Sequence, residues 1–150
     1  MSGTPEAGVI RTRLVRDRGD GLRGSTASET EGKAAATHVE SVESLGEYSV
    51  VRCRLETGRT HQIRIHLAEQ GYPVCGDAMY RGPFGGEIIA DKSRAPRLAL
   101  HARLLAFTHP ESGQRLEFES DLPADLAGFV ERIRTGSAST SQTAEETGDS

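Results

Sequence analysis

Alternating apolar and polar residues predict several β-strands along the chain. In the clearest strand, Val51, Cys53 and Leu55 would face one side of a sheet. Arg52 and Arg54 would face the other side, which is typical of a strand that is buried on one face only. The predicted strands cover residues 9–16, 37–42, 48–55, 97–109 and 115–119, with a turn at 44–47 that makes the second and third an antiparallel hairpin.

Two short helices accompany the predicted strands. The first would span about residues 61–70, with Ile63 and Leu67 one turn apart. Thr60 can cap its start, and Gly71 supplies the left-handed residue that ends it. The second helix begins near Pro123 and carries one apolar stripe, formed by Leu122, Leu126, Phe129, Val130 and Ile133. The predicted fold class is therefore mixed α/β of the α+β type, a largely antiparallel sheet with two short helices.

The remaining segments are predicted to lack regular structure. Residues 17–33 are rich in glycine, serine and charge, and are expected to form a mobile loop with nothing to bury. Residues 81–96 form a second loop rich in glycine and proline. Beyond Thr135 the chain has no apolar anchor, so residues 135–150 are predicted to be a disordered acidic tail. One domain over residues 1–134 follows.

Composition narrows the class of protein without identifying it. The chain has 150 residues and a net charge of -4, but residues 51–110 hold nine Lys and Arg against five Asp and Glu. This distribution favours binding of an anion in one groove over a general coating of nucleic acid. No apolar run is long enough to cross a bilayer and the first eight residues do not form a secretion signal, so a cytoplasmic location is expected. Cys53 and Cys75 are isolated and are predicted to be buried thiols, with no metal site.

The candidate functional residues lie close together in the segment Leu55–Leu67. After the turn at Gly58 it places Arg59, His61, Gln62 and Arg64 near the start of the first helix. A helix start presents unpaired N–H groups and the positive end of the helix dipole, so arginines there favour a phosphate or a carboxylate. The alternative is a solvated helix face that binds nothing.

These residues also carry a resemblance to a known family. Thr57–Leu67, with Gly71–Asp77 and Tyr80, resembles the signature of the RluA family of RNA pseudouridine synthases. The resemblance covers residues 8–134, and further segments that carry it are Gly32–Thr37, Leu98–Pro110 and Phe118–Pro123. It implies part of a pseudouridine synthase catalytic fold. It also implies an activity on rRNA or tRNA in which the glycosidic bond of uridine is cut, the uracil turns, and a carbon–carbon bond rejoins it to the ribose, without cofactor or metal.

One expected segment is missing from the sequence. The family carries its nucleophilic aspartate in an Arg-Leu-Asp segment followed by Thr-Ser-Gly, and none of the Arg-Leu pairs in this chain precedes an aspartate. The chain is therefore expected to be the C-terminal part of such an enzyme, inactive alone, with the aspartate supplied by a separate N-terminal half or by absent sequence. Two alternatives remain open: a non-catalytic RNA-binding remnant, and a truncated product without a role.

The resemblance also implies roles for individual residues. Arg64 would be the catalytic arginine, a fixed cation beside an aspartate that this chain does not itself supply. Arg59, His61 and Gln62 would bind RNA at the rim of the same pocket, although each could instead hold the turn in place. Apart from the resemblance, Asp77 and Tyr80 are expected to brace the loop after Gly76, because a Gly-Asp pair favours a tight turn with hydrogen bonds from side chain to backbone.

Overall fold

The computed structural model describes residues 5–108, 110–136 and 141–149. Within these residues, the chain forms strands, most of them paired antiparallel, and two short helices, so the predicted α+β class is confirmed. The elements are β1 (Gly8–Val15), β2 (Gly24–Thr26), β3 (Lys33–Ser44), β4 (Tyr48–Leu55), α1 (Gln62–Glu69), β5 (Leu100–Thr108), β6 (Arg115–Glu119), α2 (Ala124–Arg134) and β7 (Ser141–Asp149).

The strands form one sheet in the order β2-β1-β3-β4-β7-β5-β6. β1 to β4 pair antiparallel with one another, as do β5 and β6, which confirms the largely antiparallel sheet and the predicted hairpin of β3 and β4. β7 runs parallel to both β4 and β5 and joins the two antiparallel parts. A β-bulge between Val39 and Ser41 shifts the register of the hairpin.

Both helices pack on the sheet face that carries Val39, Val51 and Cys53. The predicted stripe of α2 is confirmed, since its buried residues are Leu126, Phe129, Val130 and Ile133. Helix α1 instead contributes to two clusters. Ile63 and Leu67 join the cluster shared with α2, whereas Ile65 and Ala68 pack with Leu14, Ala35 and Tyr80. The predicted burial of both cysteines is confirmed.

Two segments predicted to be irregular contain strands. Residues 17–33, expected to have nothing to bury, include β2, and Leu22 packs against the second cluster. Residues 135–150, expected to form a disordered acidic tail, include β7. Backbone hydrogen bonds explain both differences, because a strand edge can pair with a segment of any polarity. The mobility expected of residues 17–33 stays a prediction.

Candidate functional site

The segment between β4 and α1 is fastened to β3 by hydrogen bonds. Glu56 N donates to Ala36 O at 3.1 Å, and Ala36 N donates to the Thr57 hydroxyl at 3.0 Å. Helix α1 then starts one residue later than predicted, with His61 at its N-cap. Thr60 is therefore not the cap. His61 has a left-handed backbone with φ 56°, an unusual conformation for a residue other than glycine, and its side chain does not cap the helix.

Gln62 lies under this turn and is only 2% exposed. Its Oε1 accepts hydrogen bonds from the Thr57 hydroxyl at 2.7 Å and Arg59 N at 3.0 Å. Its Nε2 donates to Ala36 O at 3.0 Å and to the Thr37 hydroxyl at 2.9 Å. All four hydrogen-bonding positions of the amide are thus occupied within the chain. The binding of RNA by Gln62 stays a prediction.

Arg64 makes a two-pronged ion pair with Asp77. Arg64 Nε donates to Asp77 Oδ2 at 2.8 Å and Nη2 donates to Oδ1 at 2.9 Å. The Asp77 side chain is fully buried and that of Arg64 is 16% exposed. The chain thus supplies one acid for Arg64 that the sequence pattern did not indicate, while the pairing of Arg64 with a catalytic aspartate from outside the chain stays a prediction. The pattern missed the pair because 13 residues and a loop separate its members.

Asp77 braces the loop after Gly76, as predicted. Its Oδ1 also accepts hydrogen bonds from the backbone N–H groups of Met79 at 2.9 Å and Tyr80 at 3.1 Å. Gly76 has φ +80°, and a Cβ at this position would lie 2.1 Å from Arg97 O. Glycine is therefore required here both by the backbone conformation and by the close approach of the neighbouring segment.

His61 and Tyr80 complete the surroundings of Arg64. The Tyr80 hydroxyl and His61 Nδ1 are joined by a hydrogen bond of 2.9 Å, and their rings meet edge to face at 5.5 Å. The Arg64 guanidinium carbon lies 5.1 Å from the centre of the Tyr80 ring, within cation–π range. We call Arg64, Asp77, His61 and Tyr80 the Arg64 cluster.

Burial and charge set the protonation of the cluster. Burial raises the pKa of Asp77, but hydrogen bonds from Arg64 and from the N–H groups of Tyr80 and Met79 outweigh it, so the net pKa lies below the ordinary value. Burial also lowers the pKa of His61, and the positive charge of Arg64 adds to the effect. Near neutral pH the cluster therefore contains a carboxylate, a guanidinium and an uncharged imidazole.

Arg59 lies outside this cluster. Its Nε donates to Ala34 O at 2.9 Å, and the residue is exposed beside a groove that it lines together with Gly58 and Thr60. The structure thus brings Arg64 and His61 together, places Gln62 beneath them, and sets Arg59 in a neighbouring groove.

His66 is a residue of this region to which the sequence pattern assigned no role. It is fully buried, with Nδ1 2.7 Å from the Thr37 hydroxyl and Nε2 2.8 Å from the Thr12 hydroxyl. Burial lowers its pKa to about 4. In the sequence, its position one turn after Gln62 indicates only that the two side chains share a face of the helix.

The residues that the structure describes contain no group of three or more His, Cys, Asp or Glu residues placed to hold a metal ion. No helix among them combines the length and the apolar character that crossing a bilayer requires.

Sequence comparisons relate the chain to a known family. Residues 4–69 match the family described as RNA pseudouridylate synthase. The chain belongs to this family.

Individual relatives support the assignment over most of the chain. A ribosomal large subunit pseudouridine synthase D of Neisseria meningitidis is 42% identical over 134 residues, which cover 87% of this chain and 36% of the relative. An uncharacterized RNA pseudouridine synthase, YlyB, of Bacillus subtilis is 40% identical over 132 residues, covering 85% of this chain and 39% of the relative. The chain therefore spans little more than a third of the length of these relatives.

Proposed function

We propose that this chain is the C-terminal part of an RNA pseudouridine synthase that converts uridine to pseudouridine in rRNA or tRNA in the cytoplasm. The observation that carries the proposal is the Arg64 cluster, a buried carboxylate that fixes a partly exposed guanidinium, in a chain about 40% identical to such enzymes. The proposed role of the cluster is to hold a cation against the catalytic aspartate of the complete enzyme.

Arg64 can serve a second acid without releasing Asp77. A guanidinium has five N–H donors, and Asp77 uses one on Nε and one on Nη2. Both donors of Nη1 and one of Nη2 remain, and they form another two-pronged edge. In this proposal Asp77 orients Arg64, and the remaining edge receives the nucleophilic aspartate.

Asp77 itself does not suit the role of nucleophile. Its side chain is fully buried, and its two oxygens already accept hydrogen bonds from Arg64 and from two backbone N–H groups. A nucleophile needs an oxygen that can reach the ribose or the base. We therefore propose that the isolated chain forms no pseudouridine and that a separate N-terminal half supplies the aspartate.

His61 and Arg59 are the proposed RNA-binding residues. His61 is half-buried at the cluster, where its uncharged ring can meet a base or a ribose hydroxyl. Arg59 keeps exposed N–H groups beside the cluster for a phosphate. Gln62 is the third residue implied by the family resemblance, and its four hydrogen bonds favour a structural role in supporting the turn.

The Arg64 pair also favours a second candidate function, RNA binding without isomerisation. Because Asp77 already neutralises Arg64, this partly buried cation is paired even when no other aspartate is present. A remnant that only binds RNA could therefore keep this cluster stably folded.

A chimaeric enzyme separates the two candidates. The aligned 134 residues of the Neisseria meningitidis relative would be replaced by this chain, so that the relative supplies the rest of the enzyme. Isomerisation joins C5 of uracil to the ribose and displaces the hydrogen at C5. Release of tritium from RNA labelled at C5 of uridine therefore measures activity. We expect activity from the chimaera and none from the isolated chain.

Arg64→Ala in the chimaera tests the cluster. We expect at least a hundredfold loss of activity, in the range seen when one preorganised charged donor is removed. Arg54→Ala is the matched control, because Arg54 forms an ion pair with Glu40 on the sheet and lies outside the cluster. An inactive but folded chimaera that still binds RNA would favour the second candidate. Full activity of the Arg64→Ala chimaera would remove Arg64 from the mechanism.

A further inference from the structure

A groove beside the Arg64 cluster is lined by an unusual set of charges. It lies between the end of β1, the start of β3 and the turn at Gly58–Thr60, and its cavity volume is about 450 Å³. The charged residues that line it are Arg16, Arg23, Lys33 and Arg59, and no acidic residue lines it. The groove is therefore positively charged, although the whole chain has more acidic residues, 22, than Lys and Arg, 18. We call it the basic groove.

The four cations remain available to a ligand. Arg16, Lys33 and Arg59 are exposed and Arg23 is half-buried. Among the described residues, no carboxylate forms an ion pair with any of the four. Two acids close to the groove in sequence are held elsewhere, since Asp20 pairs with Arg18 and the Asp17 carboxylate accepts hydrogen bonds from two backbone N–H groups.

The walls of the groove are firmly built. Leu14 on β1 pairs with Lys33 on β3, which fixes the spacing of these two walls. The Arg59 side chain is held by its hydrogen bond to Ala34 O, and its backbone N–H by Gln62. An anion would therefore meet cations that are already partly ordered, which lowers the entropic cost of binding.

A charge of the basic groove acts on residues of the Arg64 cluster. The charge of Arg23 lowers the pKa of His61, after burial and Arg64, and it opposes the rise that burial causes in the pKa of Tyr80. Arg59 is only two residues from His61 along the turn. A chain that crosses the groove can therefore continue to the cluster.

We propose that the basic groove binds the phosphodiester backbone of the RNA strand that carries the target uridine, an inference that rests on the proposed function. Several cations spread over an open groove suit a strand with a charge at every nucleotide better than one isolated phosphate. Arg16, Arg23 and Lys33 thereby join Arg59 as RNA-binding residues, and they position the strand without reading its sequence.

Salt-dependent RNA binding by the full chain tests this assignment. The probe is a fluorescein-labelled single-stranded RNA of a dozen nucleotides with one uridine, followed by fluorescence anisotropy across a series of KCl concentrations. The variant Arg23→Gln/Lys33→Gln removes two groove cations. The matched control Lys92→Gln/Arg115→Gln removes the same charge from residues that do not line the groove.

The expected result follows from counterion release. Each phosphate contact contributes about 0.7 to the slope of log K against log salt for a single strand, so the groove variant should lose roughly 1.4 from its slope. Relative to 1 M salt, that corresponds to roughly 25-fold weaker binding at 0.1 M. The control variant should keep both slope and affinity. Urea unfolding of both variants checks that the fold is retained.

Each other outcome overturns a distinct part of the assignment. If the chain binds RNA and the groove variant matches the control, the groove inference is wrong while the proposed function stands. If the unsubstituted chain does not bind RNA, both the proposed function and the groove inference are wrong. If polyglutamate of equal charge displaces the labelled RNA as well as unlabelled RNA does, the groove is a site for acidic polypeptides and the RNA assignment is overturned.

Discussion

At the scale of single residues, the polar groups buried along α1 are fully hydrogen-bonded. Gln62 reaches β3 and the turn before the helix, and His66 joins Thr12 on β1 to Thr37 on β3. Burial of such groups without partners would cost about 1–3 kcal/mol each. These contacts therefore fix the rotation of α1 against the sheet and, with it, the direction of Arg64.

His66 should make stability depend on pH. Its pKa is about 4 in the folded chain against 6.5 for the ordinary imidazole, because burial disfavours the charged ring. Between these pH values the unfolded chain binds a proton that the folded chain does not. The free energy of unfolding should therefore fall as the pH is lowered from 6.5 to 4, by roughly 3 kcal/mol from this residue.

Urea unfolding at several pH values measures this effect. In His66→Gln, the free energy of unfolding should fall much less between pH 6.5 and 4 than in the wild type. The variant should also be less stable at pH 7, because one threonine hydroxyl loses a partner. His101→Gln, a matched change outside the Thr12–Thr37 network, should keep the wild-type profile. Equal profiles for wild type and His66→Gln would contradict the prediction.

At the scale of elements, the two helices differ in how they hold the sheet. α2 has one apolar stripe and packs on one cluster, whereas α1 buries residues toward two clusters. Hydrophobic groups thus pack against α1 on two sides. The polar residues of the site lie near the start of the helix. We expect packing to oppose rotation of α1, and with it movement of the Arg64 cluster, because rotation would expose one of the two hydrophobic clusters.

The stripe of α2 predicts that the stability of the fold depends strongly on the stripe's most buried residue. Leu126 is fully buried in the cluster shared by α1 and the sheet. Leu126→Ala should lower the free energy of unfolding by about 3 kcal/mol, since it removes buried methyl groups and leaves a cavity. Leu122→Ala, the same change at a half-buried position, should cost clearly less. Equal losses in urea unfolding would show that α2 is not anchored through Leu126.

At the scale of the whole molecule, β7 joins the two antiparallel parts of the sheet. Its backbone pairs with β4 over residues 141–148 and with β5 over residues 144–149. Without it, two strand edges would be open, and open edges recruit other chains. Continuity of the sheet in this chain therefore depends on its last strand.

Ala144→Pro tests this dependence in the full chain. Proline removes the backbone donor in the middle of β7, so we expect lower stability and self-association that increases with concentration. Ala144→Ser keeps the donor and should behave like the wild type. Sedimentation velocity measures the association. A monomeric Ala144→Pro variant of unchanged stability would show that β7 does not support the sheet.

Much of this architecture follows from local pattern. Alternation along residues 48–55 predicted β4, and the spacing of Leu126, Phe129 and Ile133 predicted α2, because these periods report which face is buried. Strands whose stability comes from pairing rather than from side chains could not be found this way. β2 and β7 are such strands, since the edges that they pair with come from distant parts of the chain.

The sequence by itself determined the α+β class, the hairpin, both helices, the family resemblance, and the concentration of Arg59, His61, Gln62 and Arg64 near one turn. Only the tertiary structure decided what each of these side chains does. It gave Arg64 its partner Asp77 and buried Gln62 beneath the turn. It also placed Arg59 in a groove with Lys33 of β3 and with Arg16 and Arg23, which lie between β1 and β3. The physical reason is that a pattern reports local periodicity, whereas a partner is set by which distant segments the packed sheet brings within hydrogen-bonding distance.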